Sequence, residues 1–252
     1  MRILVLNVNT SPSMTEEIAA AARAAAAPGT EIDARTPLFG TEAVDSVGES
    51  YLSAVGAMDF TARLLDAGTF DYDAVVLAGF GEHGKDALQE MLTVPVLDIA
   101  ESAAHIAHLV GRRFSVVTTL ARSIPAIEDR LMLAGLAAHC ASVRACGLGT
   151  AEVDVDPVAA VDAVVAEAAK AISEDGADVI CLGCAGMAGV TEAISARLGV
   201  PAIDGVAAAV ALAQAVVGLG VTTSKVGMFA PGPPNLRSHW PLSAALGLEP
   251  PS

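Results

Sequence analysis

Basic and aromatic side chains are scarce in this chain, and each scarcity excludes something. Only 14 Lys and Arg stand against 29 Asp and Glu, which leaves a net charge of -15. Nucleic acid and anionic membrane surfaces need concentrated cationic side chains, so neither is expected as a partner. The acidity itself reads as solubility. Aromatic residues make up 4% of the chain, with a single Trp. The apolar fraction of 53% is carried by Ala, Val and Leu instead, which suits helices packed on a parallel sheet. A membrane-spanning run is also missing. The longest apolar stretch, Val206 to Val221, is Ala-rich and contains Gln214, so it is too short and too weak to cross a bilayer. The opening Met1-Arg-Ile-Leu-Val-Leu turns polar at Asn7 and does not read as a signal peptide. No Gly-x-Gly-x-x-Gly loop follows a strand pattern, and the four cysteines (Cys140, Cys146, Cys181, Cys184) show no zinc spacing with histidines. His105 and His108 share a helix face but lack a third ligand. The expectation is therefore a cytoplasmic protein with no cofactor, metal or disulfide.

What the chain does have is alternation. Short apolar runs predict strands over Arg2 to Leu6, Glu31 to Thr36, Ala74 to Ala78, Val96 to Ile99, Arg113 to Val117, Ala141 to Ala145, Val179 to Leu182, Ala202 to Ile203 and Val226 to Phe229. Helical patterns lie between them, over 15–27, 52–67, 86–92, 102–110, 124–136, 157–175, 190–198 and 206–219. Such alternation implies βαβ units and a parallel sheet covered by helices on both faces.

The chain also repeats itself. Asp73-Ala-Val-Val-Leu-Ala-Gly79 runs into a Gly-rich break, a helical pattern and Val94-Pro-Val-Leu-Asp98. Asp178-Val-Ile-Cys-Leu-Gly-Cys184 runs into a similar break, a helical pattern and Val200-Pro-Ala-Ile-Asp204. The echo predicts an α/β fold of two pseudo-symmetric lobes, residues 1–98 and 115–205, each a mainly parallel sheet flanked by helices. A helix at about 206–219 packs back on the first lobe, and 230–252 forms an irregular Pro-rich tail. Ligands of open parallel sheets sit outside the carboxyl ends of the strands, so the loops at Asn7, Gly79, Thr118 and Cys184 are expected to line one cleft between the lobes. When the initial aspartates are aligned, Gly79 falls opposite Cys184.

Cys184 follows a strand and precedes a helical stretch, where a thiol is acidified and can serve as base or nucleophile. Gly183 and Gly186 leave room for a ligand to reach backbone N–H groups. The alternative is a buried structural cysteine. Cys181, inside its strand, reads as packing, and Cys140 and Cys146 as structural. Asn7, Asn9 and Thr10 after the first strand, and Thr118 and Thr119 after another, could bind a carboxylate, imide or ureido group or could serve only as turn and cap residues. Gly79 is either a tight turn or a clearance for substrate. His83, four residues on, could act as a second acid/base or could be a solvated loop histidine.

Several of these segments resemble a known family. Arg2-Ile-Leu-Val-Leu-Asn7-x-Asn9-Thr10, Phe114-Ser-Val-Val-Thr-Thr119, Leu182-Gly-Cys184-Ala-Gly-Met187 and Val200-Pro-Ala-Ile-Asp204 look like the hydantoin racemase branch of the aspartate/glutamate racemase superfamily. The resemblance implies a cofactor-independent, often oligomeric isomerase acting on 5-substituted hydantoins or related cyclic ureides. In that family two cysteines face each other across the substrate carbon. The second maps onto Cys184 and the first onto Gly79, so the first position carries no thiol. The family's Asn-Pro-Asn loop reads Asn7-Val8-Asn9 here. Phe80, Ala185 and Gly186 join the expected binding residues, with a hydantoin, cyclic ureide or small carboxylate as ligand. A single cysteine opposite a glycine also resembles arylmalonate decarboxylases, so a one-base lyase is the alternative activity. A binding protein that has lost turnover is a further one.

Overall fold

The structure, a computed structural model, describes residues 1–148, 157–183 and 190–230. Cys184, Ala185, Gly186 and the 231–252 portion of the expected tail lie outside the described residues. The elements run β1 (Arg2–Asn7), α1 (Pro12–Ala25), β2 (Glu31–Arg35), α2 (Val47–Asp66), β3 (Ala74–Ala78), α3 (Lys85–Met91), β4 (Val96–Asp98) and α4 (Ile99–Val110). They continue with β5 (Phe114–Thr118), α5 (Ile124–Leu133), β6 (Cys140–Ala145), α6 (Pro157–Asp175), β7 (Val179–Leu182), α7 (Thr191–Leu198), β8 (Ala202–Ile203) and α8 (Gly205–Gly218). No helix among the described residues is long and apolar enough to cross a membrane.

Two four-stranded sheets result, ordered β2-β1-β3-β4 and β6-β5-β7-β8, with all their pairings parallel. The orders are the same when four is added to each strand number, which is the three-dimensional form of the sequence echo. The aspartates of the echo explain why it persists. Asp73 and Asp178 each open an inner strand, and their carboxylates accept the backbone N–H groups that begin the neighbouring strand. Asp73 Oδ2 accepts from Arg2 N at 2.7 Å, while Asp178 accepts from Arg112 N and Arg113 N at 2.9 Å each. Asp98 and Asp204 cap the helices that follow, accepting from Glu101 N at 2.8 Å and Ala207 N at 2.7 Å. A cap of this kind is worth about 1 kcal/mol.

Those two capped helices exchange places. Helix α4 follows the first sheet but lays Ala103, Ala104 and Ala107 against Phe114, Val116, Val179 and Cys181 of the second. Helix α8 follows the second sheet but lays Val206, Ala209, Val210 and Ala213 against Ile3, Val5, Val76 and Ala78 of the first. Small residues let the two helices cross closely: a Cβ at Gly205 would lie 2.9 Å from both the Cβ and the carbonyl oxygen of Ile99. The outer faces of the sheets are covered by α2 and α3 on one side and by α6 and α7 on the other.

Some boundaries differ from the sequence expectation. Helix α2 begins at Val47 rather than Leu52, because Ser46 accepts from Glu49 N and Glu49 reaches back to Asp45 N. The strand expected at Val226 to Phe229 is instead a 3-10 turn, Gly227–Phe229. The segment before it is strapped to the first lobe: Thr223 Oγ1 donates to the carbonyl of Val94, and Lys225 Nζ to those of Gln89 and Glu90.

Adding a methyl at the helix crossing should force α4 and α8 apart. Gly205→Ala is expected to lower the unfolding free energy by about 1–3 kcal/mol. Gly218→Ala, on the same helix with open space around it, should be neutral or slightly stabilising. Urea denaturation of both variants measures the difference.

Candidate active site

In each sheet the chain leaves its first strand in one direction and its third in the other, so a crevice opens at the carboxyl ends of the inner strands. In the first sheet that crevice lies beyond the paired Asn7 and Ala78. In the second it lies beyond Val117 and Leu182, where Gly183 N donates to the Val117 carbonyl at 2.8 Å. A cavity of about 80 Å³ joins the two, lined by Val8, Asn9, Met14, Val44, Ala78, Gly79, Phe80, His83, Thr118, Thr119, Ser123 and Gly183. A wider cleft of about 450 Å³ shares Val44, Phe80, His83 and Ser123 with it and extends past Tyr51, Arg122 and Leu133.

The sequence-predicted residues divide within this geometry. Asn7 is fully buried and spends its side chain on its own loop. Its Nδ2 donates to Asn9 Oδ1, the Ser11 carbonyl and Thr15 Oγ1, and its Oδ1 accepts from Asn9 N. Asn9 faces the cavity: its Oδ1 is occupied by Asn7 and Ser11, but among the described residues its Nδ2 has only the thioether of Met14 at 2.9 Å. A thioether is a weak acceptor, so that amide can turn to a ligand oxygen. Thr10 does not line the cavity, and its backbone N–H goes to Thr41. Thr118 and Thr119 do line it, and Thr118 Oγ1 donates to the Gly183 carbonyl at 3.2 Å. Gly183 must be small, since a Cβ there would come within 2.9 Å of Thr118 Cβ. The next residue in the chain is Cys184.

The largest departure from expectation is beside Gly79. No thiol occupies this position, but the space is not open. A Cβ built on Gly79 would lie 2.3 Å from Cδ2 and 2.8 Å from Nε2 of His83, and 2.6 Å from Cγ2 of Val8. The imidazole, with the Val8 methyl, therefore fills the volume that a side chain at position 79 would need. A cysteine cannot be added there until His83 moves and Val8 shifts. His83 is not the solvated loop residue that its sequence context allows, being only 7% exposed. Burial pushes its pKa down to about 4, against the pull of the nearby Asp98 carboxylate and with the help of the Arg130 guanidinium.

The loop that carries His83 is fixed from three sides. Glu82 Oε1 accepts from Gly84 N at 2.7 Å, and Glu82 Oε2 from Arg130 at 2.8 Å. Ser50 Oγ donates to the Glu82 carbonyl. Arg130, on α5 of the second lobe, is itself buried and also binds Asp98 at 2.8 Å and Glu101 at 2.7 Å, where Lys85 joins the cluster. Helix α2 holds the facing loop as well, through Ser53 Oγ donating to the Val8 carbonyl. Ser50, Ser53 and Arg130 carried no signal in the sequence, because their partners lie 32 to 48 residues away, and the repeat that marked Asp98 gave no hint of its pairing with Arg130. The described cysteines are free thiols. Burial raises the pKa of Cys181 steeply and that of Cys140 to about 11, so both stay protonated and inert near neutral pH.

A two-lobed α/β protein with its polar groups gathered at the strand ends of both sheets is thus defined, and comparison with known proteins places it. The profile of the Asp/Glu/Hydantoin racemase family matches residues 3–213, and the chain belongs to that family. A hydantoin racemase from Pseudomonas sp. is 38% identical over 226 residues, 90% of each chain. The crystal structure of an allantoin racemase from Pseudomonas fluorescens superposes with a TM-score of 0.88 at 54% identity, covering 93% of this chain and 98% of that one. An allantoin racemase from Klebsiella pneumoniae gives 0.86 at 40% identity, covering 91% and 93%. An arylmalonate decarboxylase, 19% identical with a TM-score of 0.61 over 88% and 94%, shares the fold alone.

A buried neutral histidine makes stability depend on pH with a defined sign. The unfolded chain protonates His83 near 6.5 while the folded one resists to about 4. Its contribution is complete above pH 6.5 and is lost as pH falls toward 4. His83→Gln should therefore lose less stability than wild type over that window, by up to roughly 3 kcal/mol at 1.36 kcal/mol per pKa unit. Denaturant titrations at pH 7, 5.5 and 4 on both proteins measure it.

Proposed function

We propose that this protein racemises a 5-substituted hydantoin or a related cyclic ureide such as allantoin, without metal or cofactor, using Cys184 and His83 on opposite faces of the C5 carbon. The observation that carries the reading is the imidazole of His83 standing in the space beside Gly79. In the sequence echo that position is the partner of Cys184, which supports reading His83 as the proton-transferring group on the side that lacks a thiol. The racemase relatives at 38–54% identity support a ring substrate of this class.

The chemistry balances as two proton transfers. His83 Nε2 takes the proton from C5, and the electron pair left behind delocalises into the adjacent ring carbonyl as an enolate. The Cys184 thiol then gives its proton to the opposite face of C5. The enzyme is left with an imidazolium and a thiolate, which is the state that runs the reverse reaction on the other enantiomer. General acid–base groups contribute on the order of a hundred- to ten-thousandfold each. With a pKa of about 4, His83 is in its base form throughout the neutral range. In this reading Asn9 Nδ2, Thr118 and Thr119 hold the carbonyl and ureido groups of the ring, while the 5-substituent extends past Phe80 into the wider cleft.

The rival reading is a one-base lyase, and the specific observation in its favour is Gly79 opposite a single cysteine. Circular dichroism of single enantiomers of allantoin and of a 5-alkyl hydantoin, incubated with purified protein, separates the two. Racemisation predicts that both enantiomers decay to zero signal, that dialysis against EDTA changes nothing, and that Cys184→Ser slows turnover at least about a hundredfold, because a hydroxyl is a far weaker acid than a thiol. Carbon dioxide release from an arylmalonate, with no change in any hydantoin, would establish the lyase instead.

A further inference from the structure

We infer that Ser50, on α2, sets the tautomer of His83 and so turns the Nε2 lone pair toward the substrate carbon. The inference rests on the reading of His83 as a proton-transferring group. A serine hydroxyl has one proton to give. That of Ser50 goes to the carbonyl of Glu82, by far the shorter of its two contacts. Toward His83 Nδ1, at 3.4 Å, the same oxygen therefore presents only lone pairs. A neutral imidazole carries one proton on one of its two nitrogens. If that proton sat on Nε2, the lone pair of Nδ1 would face the lone pairs of Ser50 Oγ. With the proton on Nδ1, the ring donates to Ser50 and Nε2 is left as the acceptor.

Nε2 is the ring nitrogen that lies against the Gly79–Gly81 turn, the side on which the proposed function places the substrate carbon. A Cβ at Gly79 would lie 2.8 Å from it, and one at Gly81 would lie 3.3 Å from it. The serine is well placed to impose this choice. It lies one turn into α2, its backbone N–H donates to the Ser46 carbonyl at 2.9 Å, and the Glu82 carbonyl it binds belongs to the loop that Arg130 and Gly84 N also hold. The choice matters because the side-chain imidazole in water prefers the opposite tautomer, with Nε2 protonated, which cannot accept a proton at that atom. Ser50 is thus a positioning residue: it contacts no reacting atom and acts through the ring of His83.

Nitrogen-15 NMR of the full chain labelled at histidine distinguishes the two tautomers directly, with His83→Gln assigning the resonances among the five histidines. The wild type at pH 7 is expected to show His83 protonated at Nδ1. Ser50→Ala should shift it toward the Nε2-protonated form and lower kcat about tenfold or more with little change in KM, as a wrong tautomer does in other His-dependent enzymes. Ser50→Thr, which keeps the hydroxyl, should restore both the signal and the rate. An Nε2-protonated His83 in the wild type, or a tautomer unchanged in Ser50→Ala, overturns the inference. A shifted tautomer with unchanged turnover would uphold the role of Ser50 and remove His83 from the chemistry, so the two ideas fail separately.

Discussion

The space beside Gly79 is filled by the ring of His83, with a methyl of Val8 beside it. The ring can lie there only because position 79 has no Cβ, and a side chain at 79 could fit only if the ring withdrew and Val8 shifted. This exclusion ties the missing thiol to the buried imidazole as two sides of one arrangement. The proposed function gives this imidazole the proton-carrying role on that face of the cleft, and its burial keeps it neutral across the neutral pH range.

Holding a histidine so placed requires support from both lobes. The loop after β3 is tied to α2 through Ser50 and to α5 through Arg130, and α5 belongs to the second sheet's layer. Arg130 reaches Asp98, the cap of α4, which in turn packs on the second sheet. A buried ion pair of this kind is weak as a source of stability but demanding in geometry. Its three carboxylate partners, from the His83 loop, the end of β4 and the first turn of α4, tie α5 to the strand-end side of the first sheet. The exchange of α4 and α8 between sheets does the same from behind, with Gly205 admitting Ile99 at the crossing.

Much of this frame was legible in the sequence. The doubled Asp-to-Asp segment marked four strands and the helices after them, because each aspartate has a backbone duty that recurs in both lobes. The two-lobed parallel architecture and the family follow from that pattern and its motifs. Other features were not readable locally. The start of α2 was hidden in a polar stretch, although Ser46 and Glu49 form a capping pair there. The run from Val226 looked like a strand by composition but forms no ladder, its neighbours being tied instead to α3 and to the loop between α3 and β4. Asn7 looked as available as Asn9, yet only packing reveals that its amide is consumed by Asn9, Ser11 and Thr15. The burial of His83 depends on a glycine four residues back and on partners in α2 and α5, and no local pattern encodes that convergence.

The central claim is that His83 and Cys184 each serve one face of the substrate carbon, and the most direct test is enantiomer-resolved exchange. Each hydantoin enantiomer is incubated in deuterium oxide with wild type, His83→Asn and Cys184→Ser, and deuterium at C5 is followed in recovered substrate and in product. The account predicts that wild type places deuterium in the product enantiomer first. It predicts that each variant stops racemising while still exchanging one enantiomer with retention, the opposite enantiomer in the two cases. Undiminished racemisation by His83→Asn, or exchange of the same enantiomer by both variants, would contradict it.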